Sequence, residues 1–223
     1  IITEAEKRKI PIISELEFAW QHCKNPIIAI TGTNGKTTTT ELTAFILNNS
    51  GKKAVTAGNI GTPLANVVNN VAKETIIVVE ASSYQLDRIT TFNPDVSIIL
   101  NITADHLAYH GDMNDYTKSK YKISQNHSKK NLLIINKDDD LTSACSSYTK
   151  GDIAYFSMNR IVDRGIFNRG GTICIRYPNQ HKEEEIMLFK EIKIPGVHNA
   201  YNSMAAALAA RAFEVTNENI RDS

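Results

Sequence analysis

The sequence predicts an α/β fold: a doubly wound, mostly parallel sheet flanked by helices, with a phosphate-binding loop near its start and a small antiparallel β-sheet near its end. Three observations predict it. Apolar runs of strand length recur along the chain, several unbroken rather than alternating, as strands covered on both faces require. Helical patterns fall between those runs. The first run, IIAIT, passes through GTNG straight into KTTTTEL: strand, glycine-rich turn, helix.

In chain order, residues 3–25 read as a helical or irregular lead-in, broken at Pro11 and closed by Asn25-Pro26. Strands are expected at 27–31, 53–57, 75–80, 96–101, 132–136 and 152–156. Helices are expected between them, at 36–49, 63–72, 114–126 and 138–147. After about residue 157 the pattern changes. RGGTICIRYP and EEEIMLFKEIKI, with Gly170-Gly171 and Pro178-Asn179 as turn signals, read as a few antiparallel strands within 157–195. A final helix over 199–213 is rich in alanine, which suits close packing on a sheet.

Composition narrows the function. The 223 residues carry 25 Lys+Arg against 24 Asp+Glu, a net charge of +1, so no basic surplus points to nucleic acid. At 42% hydrophobic the chain can bury a real core. No apolar run approaches the roughly 20 residues of a membrane span. TEAEKRK is too charged for a signal peptide. Cys23, Cys145 and Cys174 are isolated and lack metal-type spacing, so they read as free thiols of a reducing compartment. The expectation is a cytoplasmic protein acting on small molecules, with no membrane and no nucleic acid as partner. The missing initial methionine and the polar NENIRDS ending suggest a piece of a longer protein.

Residues Gly32, Thr33, Asn34, Gly35, Lys36, Thr37 and Thr38 fit the working end of a phosphate loop. Glycines let backbone N–H groups turn onto phosphate oxygens, and the helix beginning at Lys36 offers its positive end to the same anion. Lys36 would reach the β/γ-phosphates and the Thr37 hydroxyl would ligate Mg²⁺. The standard motif has glycine where this chain has Ile30, and the plainer reading is a glycine-rich turn that merely caps a helix. Glu80 ends an apolar strand beside the loop's strand, where ligands gather, and suits a Mg²⁺ bridging two phosphates. An ordinary strand-end carboxylate is its plainer reading. Helical spacing puts Tyr116, Lys120 and Ile123 on one stripe, with Lys118 and Lys122 elsewhere. A lysine there either snorkels or is buried for a purpose.

GTNGKTT resembles the phosphate loop of the Mur ligase family, the ATP-dependent amino-acid ligases of peptidoglycan synthesis, and of their folylpolyglutamate synthase relatives. GNIGTP (58–63), EASSYQL (80–86), NITADHLAYHG (101–111) and HNAYNSMAAALAA (198–210) are similar to further family segments in the family's order, covering most of residues 26–214. GNIGTP and EASSYQL are most similar to the branch that adds D-glutamate; the diaminopimelate- or lysine-adding branch typically has E-V-S-S-H.

The resemblance implies a reaction. The γ-phosphate of ATP activates the carboxylate of UDP-MurNAc-L-alanine, and the acyl-phosphate is attacked by the amino group of D-glutamate. It implies ATP, two Mg²⁺ ions and CO₂ carried as a carbamate on Lys120, with Lys118 as the fallback. Thr37, Glu80, His106 and Lys120 would be metal ligands, and Lys36, Lys120 and His106 catalytic. Asn59 and Ser82, ahead of Ser83, would meet the substrate, while Asn199 and Asn202 would face ATP. Asn59 could equally be a turn asparagine, and Asn199 the cap of the alanine-rich helix. His22, His110, His127 and His181 read as ordinary hydrogen-bonded histidines.

The implied organisation is a trailing edge of an absent N-terminal domain at 1–15 and a central ATP-binding domain at 16–223, an absent C-terminal domain and a monomeric state. One departure is Ala108, where relatives often have an acidic residue. Competing readings are another ligase of the superfamily and a P-loop regulatory NTPase.

Overall fold

The computed structural model describes residues 2–177 and 183–223, so the Pro178-Asn179 turn signal and His181 lie outside the described residues. The lead-in resolves into α1 (Ile2–Lys7) and α2 (Glu15–His22), the latter capped by the Ser14 hydroxyl, which accepts from the Glu17 N–H. Then follow β1 (Ile27–Thr31), α3 (Lys36–Asn49), β2 (Ala54–Gly58), α4 (Leu64–Val67), β3 (Ile76–Glu80), α5 (Ser83–Asp87) and β4 (Val96–Ile99). Next come α6 (Leu107–His110), α7 (Met113–Tyr121), β5 (Leu132–Asn136), α8 (Asp140–Ala144) and β6 (Asp152–Ser157). The chain continues through β7 (Gly165–Arg169), β8 (Thr172–Arg176), β9 (Glu183–Leu188), α9 (Val197–Ala212) and α10 (Asn217–Asp222).

Among the described residues the strands form one nine-stranded sheet in the order β2-β3-β1-β4-β5-β6-β7-β8-β9. The strands from β2 across to β7 are parallel; β8 and β9 run antiparallel. The expected antiparallel part is therefore an extension of the main sheet, joined where β7 pairs with β6. Helices cover both faces. Ile28 and Ile30 of β1 enter one core with α3 and the alanines of α9. Ile27 and Ala29 enter the other, with Leu16, Leu86, Tyr116 and Ile123. Alternate residues of one strand feed opposite cores, so both sets must be apolar and the run reads as unbroken.

Three expected helices change. The 63–72 helix stops at Val67: Asn70 donates its side-chain amide to the Asn66 carbonyl at 2.6 Å, taking the acceptor that a continuing α-helix needs. The 114–126 helix is α7 followed by a 3₁₀ turn over Lys122–Ser124, and the 138–147 helix is α8 followed by one over Cys145–Tyr148. The last helix begins at Val197 after Gly196, so Asn199 lies inside its first turn and is not its cap. No helix among the described residues is long and apolar enough to cross a membrane.

Candidate active site

Parallel pairing of β1 with β3 and β4 brings three carboxyl ends to one rim: Ile30 lies opposite Glu80, and Thr31 opposite Ile99. The phosphate loop (32–35), Glu80 and the segment after β4 therefore meet by topology. Gly35 has φ +86°, and a Cβ there would lie 2.4 Å from Oδ1 of Asn202, so glycine alone lets the loop pack on α9. Asn101 braces the loop from the other side. Its Oδ1 accepts from the Asn34 N–H and its Nδ2 donates to the Asn34 carbonyl, both at 2.9 Å. Thr33 Oγ1 lies 3.1 Å from the Tyr116 hydroxyl and accepts from the Thr103 N–H at 3.0 Å.

Two lysines converge on this loop. Lys36 Nζ donates to the carbonyls of Gly32 and Thr33 at 3.0 and 2.9 Å. Lys120 Nζ reaches the same Gly32 carbonyl at 2.9 Å, across 88 residues of sequence. It is 2% exposed and sits 4.6 Å from the centre of the Tyr116 ring. Burial, then the neighbouring Lys36 charge, pull the Lys120 pKa down to about 7 against the attraction of Asp105. Lys36 is also lowered by burial, opposed by Glu80 and Asp105. At 2% exposed, Lys120 is buried and does not snorkel to the surface. Lys118, the fallback, is exposed.

Glu80 is 2% exposed. Its Oε2 accepts from the Thr37 hydroxyl at 2.8 Å and its Oε1 from the Asn59 amide at 3.0 Å. Gly58 has φ +114°, and a Cβ there would lie 2.2 Å from the Glu80 carbonyl, so glycine admits the close approach that delivers Asn59. His106 has φ +52° and opens α6. Its Nε2 lies 3.4 Å from Asp105 Oδ2, and its ring packs 5.2 Å from that of Tyr84. The Ser82 hydroxyl caps α5, accepting from the Gln85 N–H at 3.3 Å, while Gln85 Oε1 accepts from the Ser82 N–H at 3.0 Å. Asn202 is buried and donates to Asn199 Oδ1 at 3.2 Å; Asn199 donates to the Pro195 carbonyl at 2.8 Å.

The expected residues other than Thr33, Thr37 and Glu80 sort into two chambers at the loop. Gly32, Lys36, Asn59, Ser82, His106 and Lys120 line a cavity of about 230 Å³. Asn34, Gly35, Thr38, Asn199 and Asn202 line a second, of about 500 Å³. Thr33 and Thr37 lie on the loop and first helical turn. Thr37 Oγ1 and the Glu80 carboxylate are adjacent hard oxygen donors, the kind that suits Mg²⁺. No cluster of three or more His, Cys, Asp or Glu occurs among the described residues, so such an ion would draw its remaining ligands from phosphate and water. Lys120 as an amine or ammonium contributes nothing anionic to it.

Sequence reasoning passed over several residues here. Asp105 and Tyr84 line the first cavity, beside Ser83, which was expected near the substrate, and Tyr116 is a site wall as well as a core residue. The S-x-x-Q box at Ser82–Gln85 was a readable signal for α5. Nothing local marked Asn101 as the brace of the loop.

The sequence and the fold both have known relatives. A family model described as the Mur ligase middle domain matches residues 30–210. The UDP-N-acetylmuramoylalanine--D-glutamate ligase of Syntrophus aciditrophicus (strain SB) is 41% identical over 221 residues, covering 99% of this chain and 48% of that protein. The chain thus spans about half the length of the curated relatives it matches. Among solved structures, a UDP-N-acetylmuramoyl-L-alanyl-D-glutamate--2,6-diaminopimelate ligase superposes with TM-score 0.69 at 22% identity, covering 98% of this chain and 47% of that one. The MurF ligase of Thermotoga maritima in complex with ADP gives TM-score 0.64 at 18% identity, covering 93% and 50%.

Proposed function

The chain belongs to the Mur ligase family, and from that premise we propose that it is the ATP-binding domain of a ligase joining D-glutamate to UDP-MurNAc-L-alanine. The relatives that carry this activity in their name are about twice as long, so the uridine nucleotide and the incoming amino acid would be held largely by further domains. Residues 16–223 are the nucleotide domain in this reading, with 1–15 the edge of a preceding one.

The observation that carries the proposal is the meeting of Lys36, Lys120 and the Thr37–Glu80 pair at one phosphate loop. ADP in the MurF ligase of Thermotoga maritima, which shares the fold, supports a nucleotide here. Asn199 and Asn202 would hold the nucleotide in the larger chamber, and Lys36 and Lys120 would meet its phosphates in the smaller. Lys36 exchanges its contacts with the Gly32 and Thr33 carbonyls for phosphate oxygens. Thr37 and Glu80, with His106 and a modified Lys120, would hold two Mg²⁺ ions, which neutralise charge on the transferring phosphoryl group. Asn59 orients Glu80, and Ser82 borders the substrate's path. The neutral Lys120 amine can add to the carbon of CO₂ and release a proton, which turns a cation into a carboxylate-like ligand; its lowered pKa and burial favour that.

The substrate carboxylate takes the γ-phosphoryl group, and the amino group displaces phosphate to leave an amide. The protein's part is positioning and charge compensation. Phosphate release by the full-length protein with ATP and UDP-MurNAc-L-alanine tests this. It is expected to require D-glutamate for sustained turnover, and Lys36→Ala is expected to abolish it. Steady hydrolysis without either acceptor or sugar nucleotide would favour a regulatory NTPase instead. The isolated chain is expected to bind nucleotide weakly and not to ligate.

A further inference from the structure

The segment that carries His106, between β4 and α7, is pinned at its start. The Ile102 N–H donates to Asp139 Oδ2 and the Thr103 N–H to Thr33 Oγ1, each at 3.0 Å. Beyond that point support thins. Residues 104, 106–109, 111 and 112 are exposed, and α6 has four residues, none buried. Its backbone bonds stay local: Tyr109 and His110 donate to the His106 carbonyl, and Gly111 donates to that of Leu107. A single exposed turn of helix does not hold itself together in water.

The inward-facing residue of that turn is His110. Its Nε2 lies 3.0 Å from the hydroxyl of Ser83, which is 2% exposed. Its ring packs 5.2 Å from Tyr116 and 5.7 Å from Tyr84, and His106 leans on both of those same rings, at 6.4 and 5.2 Å. Ser83 is three residues beyond Glu80 and opens α5. The bond therefore ties the end of the His106 turn to the element that follows Glu80.

We propose that His110 and Ser83 form a latch, with His110 a positioning residue that holds the His106 turn against the cavity wall and fixes His106 relative to Glu80. The importance of that spacing rests on the reading of His106 and Glu80 as metal ligands; the latch itself rests on the geometry alone. His110 touches no reacting atom in this proposal. It acts through the turn and through Tyr84 and Tyr116.

Two kinds of variant separate hydrogen bonding from ring packing. His110→Phe keeps an aromatic ring and loses the bond, Ser83→Ala loses the partner, and His110→Gln keeps a polar group at the reach of Nε2. Amide exchange at Tyr109, His110 and Gly111 is read in the full-length protein without substrate. Ser83→Ala and His110→Phe are each expected to speed it about fivefold, the size of one net hydrogen bond, with the double variant no faster than either single. His110→Gln is expected to stay near wild type. In turnover, kcat falls about tenfold in the two breaking variants while the KM for ATP stays within about twofold, because the phosphate loop is untouched. Unchanged exchange in both breaking variants, or effects that add in the double variant, overturns the latch. Because exchange needs no substrate, a protein that proves not to ligate D-glutamate still decides this question separately.

Discussion

Glu17 and Glu80 are both buried carboxylates, 0% and 2% exposed, in opposite surroundings. Glu17, in α2, accepts from the N–H groups of Thr90, Thr91 and Phe92 at 2.9–3.1 Å and from the hydroxyls of Thr90 and Thr91 at 2.8 and 2.5 Å. Burial alone would raise its pKa, but those bonds, led by the Thr91 hydroxyl, reverse that and hold it at about 2. Its lone pairs are filled, and it staples α2 to the segment before β4. Glu80 accepts from two side chains, Thr37 and Asn59, and of these Asn59 lines the cavity shared with Lys36 and Lys120. A carboxylate has about four acceptor positions. Protein donors fill those positions at Glu17 and only part of them at Glu80.

The comparison breaks if the two residues respond alike. The largest effect is expected from Glu80→Gln in the full-length protein: kcat/KM down about 10²–10³-fold, with the thermal midpoint within about 2 °C of wild type. Glu17→Gln should do the reverse. In urea titration at pH 7 it is expected to lose roughly 2–3 kcal/mol, with the nucleotide affinity of the folded protein unchanged.

The sign with pH sharpens this. The folded pKa of Glu17 is depressed from 4.5 to about 2, so its contribution is complete above pH 4.5 and is lost as pH falls toward 2. Wild-type stability should therefore decline across that window more steeply than that of Glu17→Gln, in acid titrations followed by circular dichroism. The smallest effect is expected from Thr91→Ala, which removes one hydroxyl and keeps the backbone donor: about 1 kcal/mol by urea titration.

The two regions also differ in how far the sequence reveals them. β1, β4 and β5 were legible because strands buried on both faces are largely apolar, and β3 told where Glu80 would end. The Tyr116–Lys120–Ile123 stripe was legible from helical spacing alone, and all three are buried. Glu17 was silent, because its partners lie 73–75 residues away and no local pattern names them. α4 was overestimated because the competing bond of Asn70 has no signature in hydrophobic spacing. The joining of β8 and β9 to the main sheet depends on which strand β7 pairs with, a choice made by tertiary packing. His110 read as ordinary because its partner, Ser83, comes close only once α5 and α6 are placed.

The most direct test of the Glu80 site is the Mg²⁺ dependence of nucleotide binding, measured by calorimetry on the full-length protein, Glu80→Gln and Glu17→Gln. ATP should bind wild type and Glu17→Gln more tightly with Mg²⁺ than with a chelator, while Glu80→Gln should bind equally in both and match wild type in the chelator. A Glu80→Gln protein that keeps the full strengthening by Mg²⁺ would contradict the account.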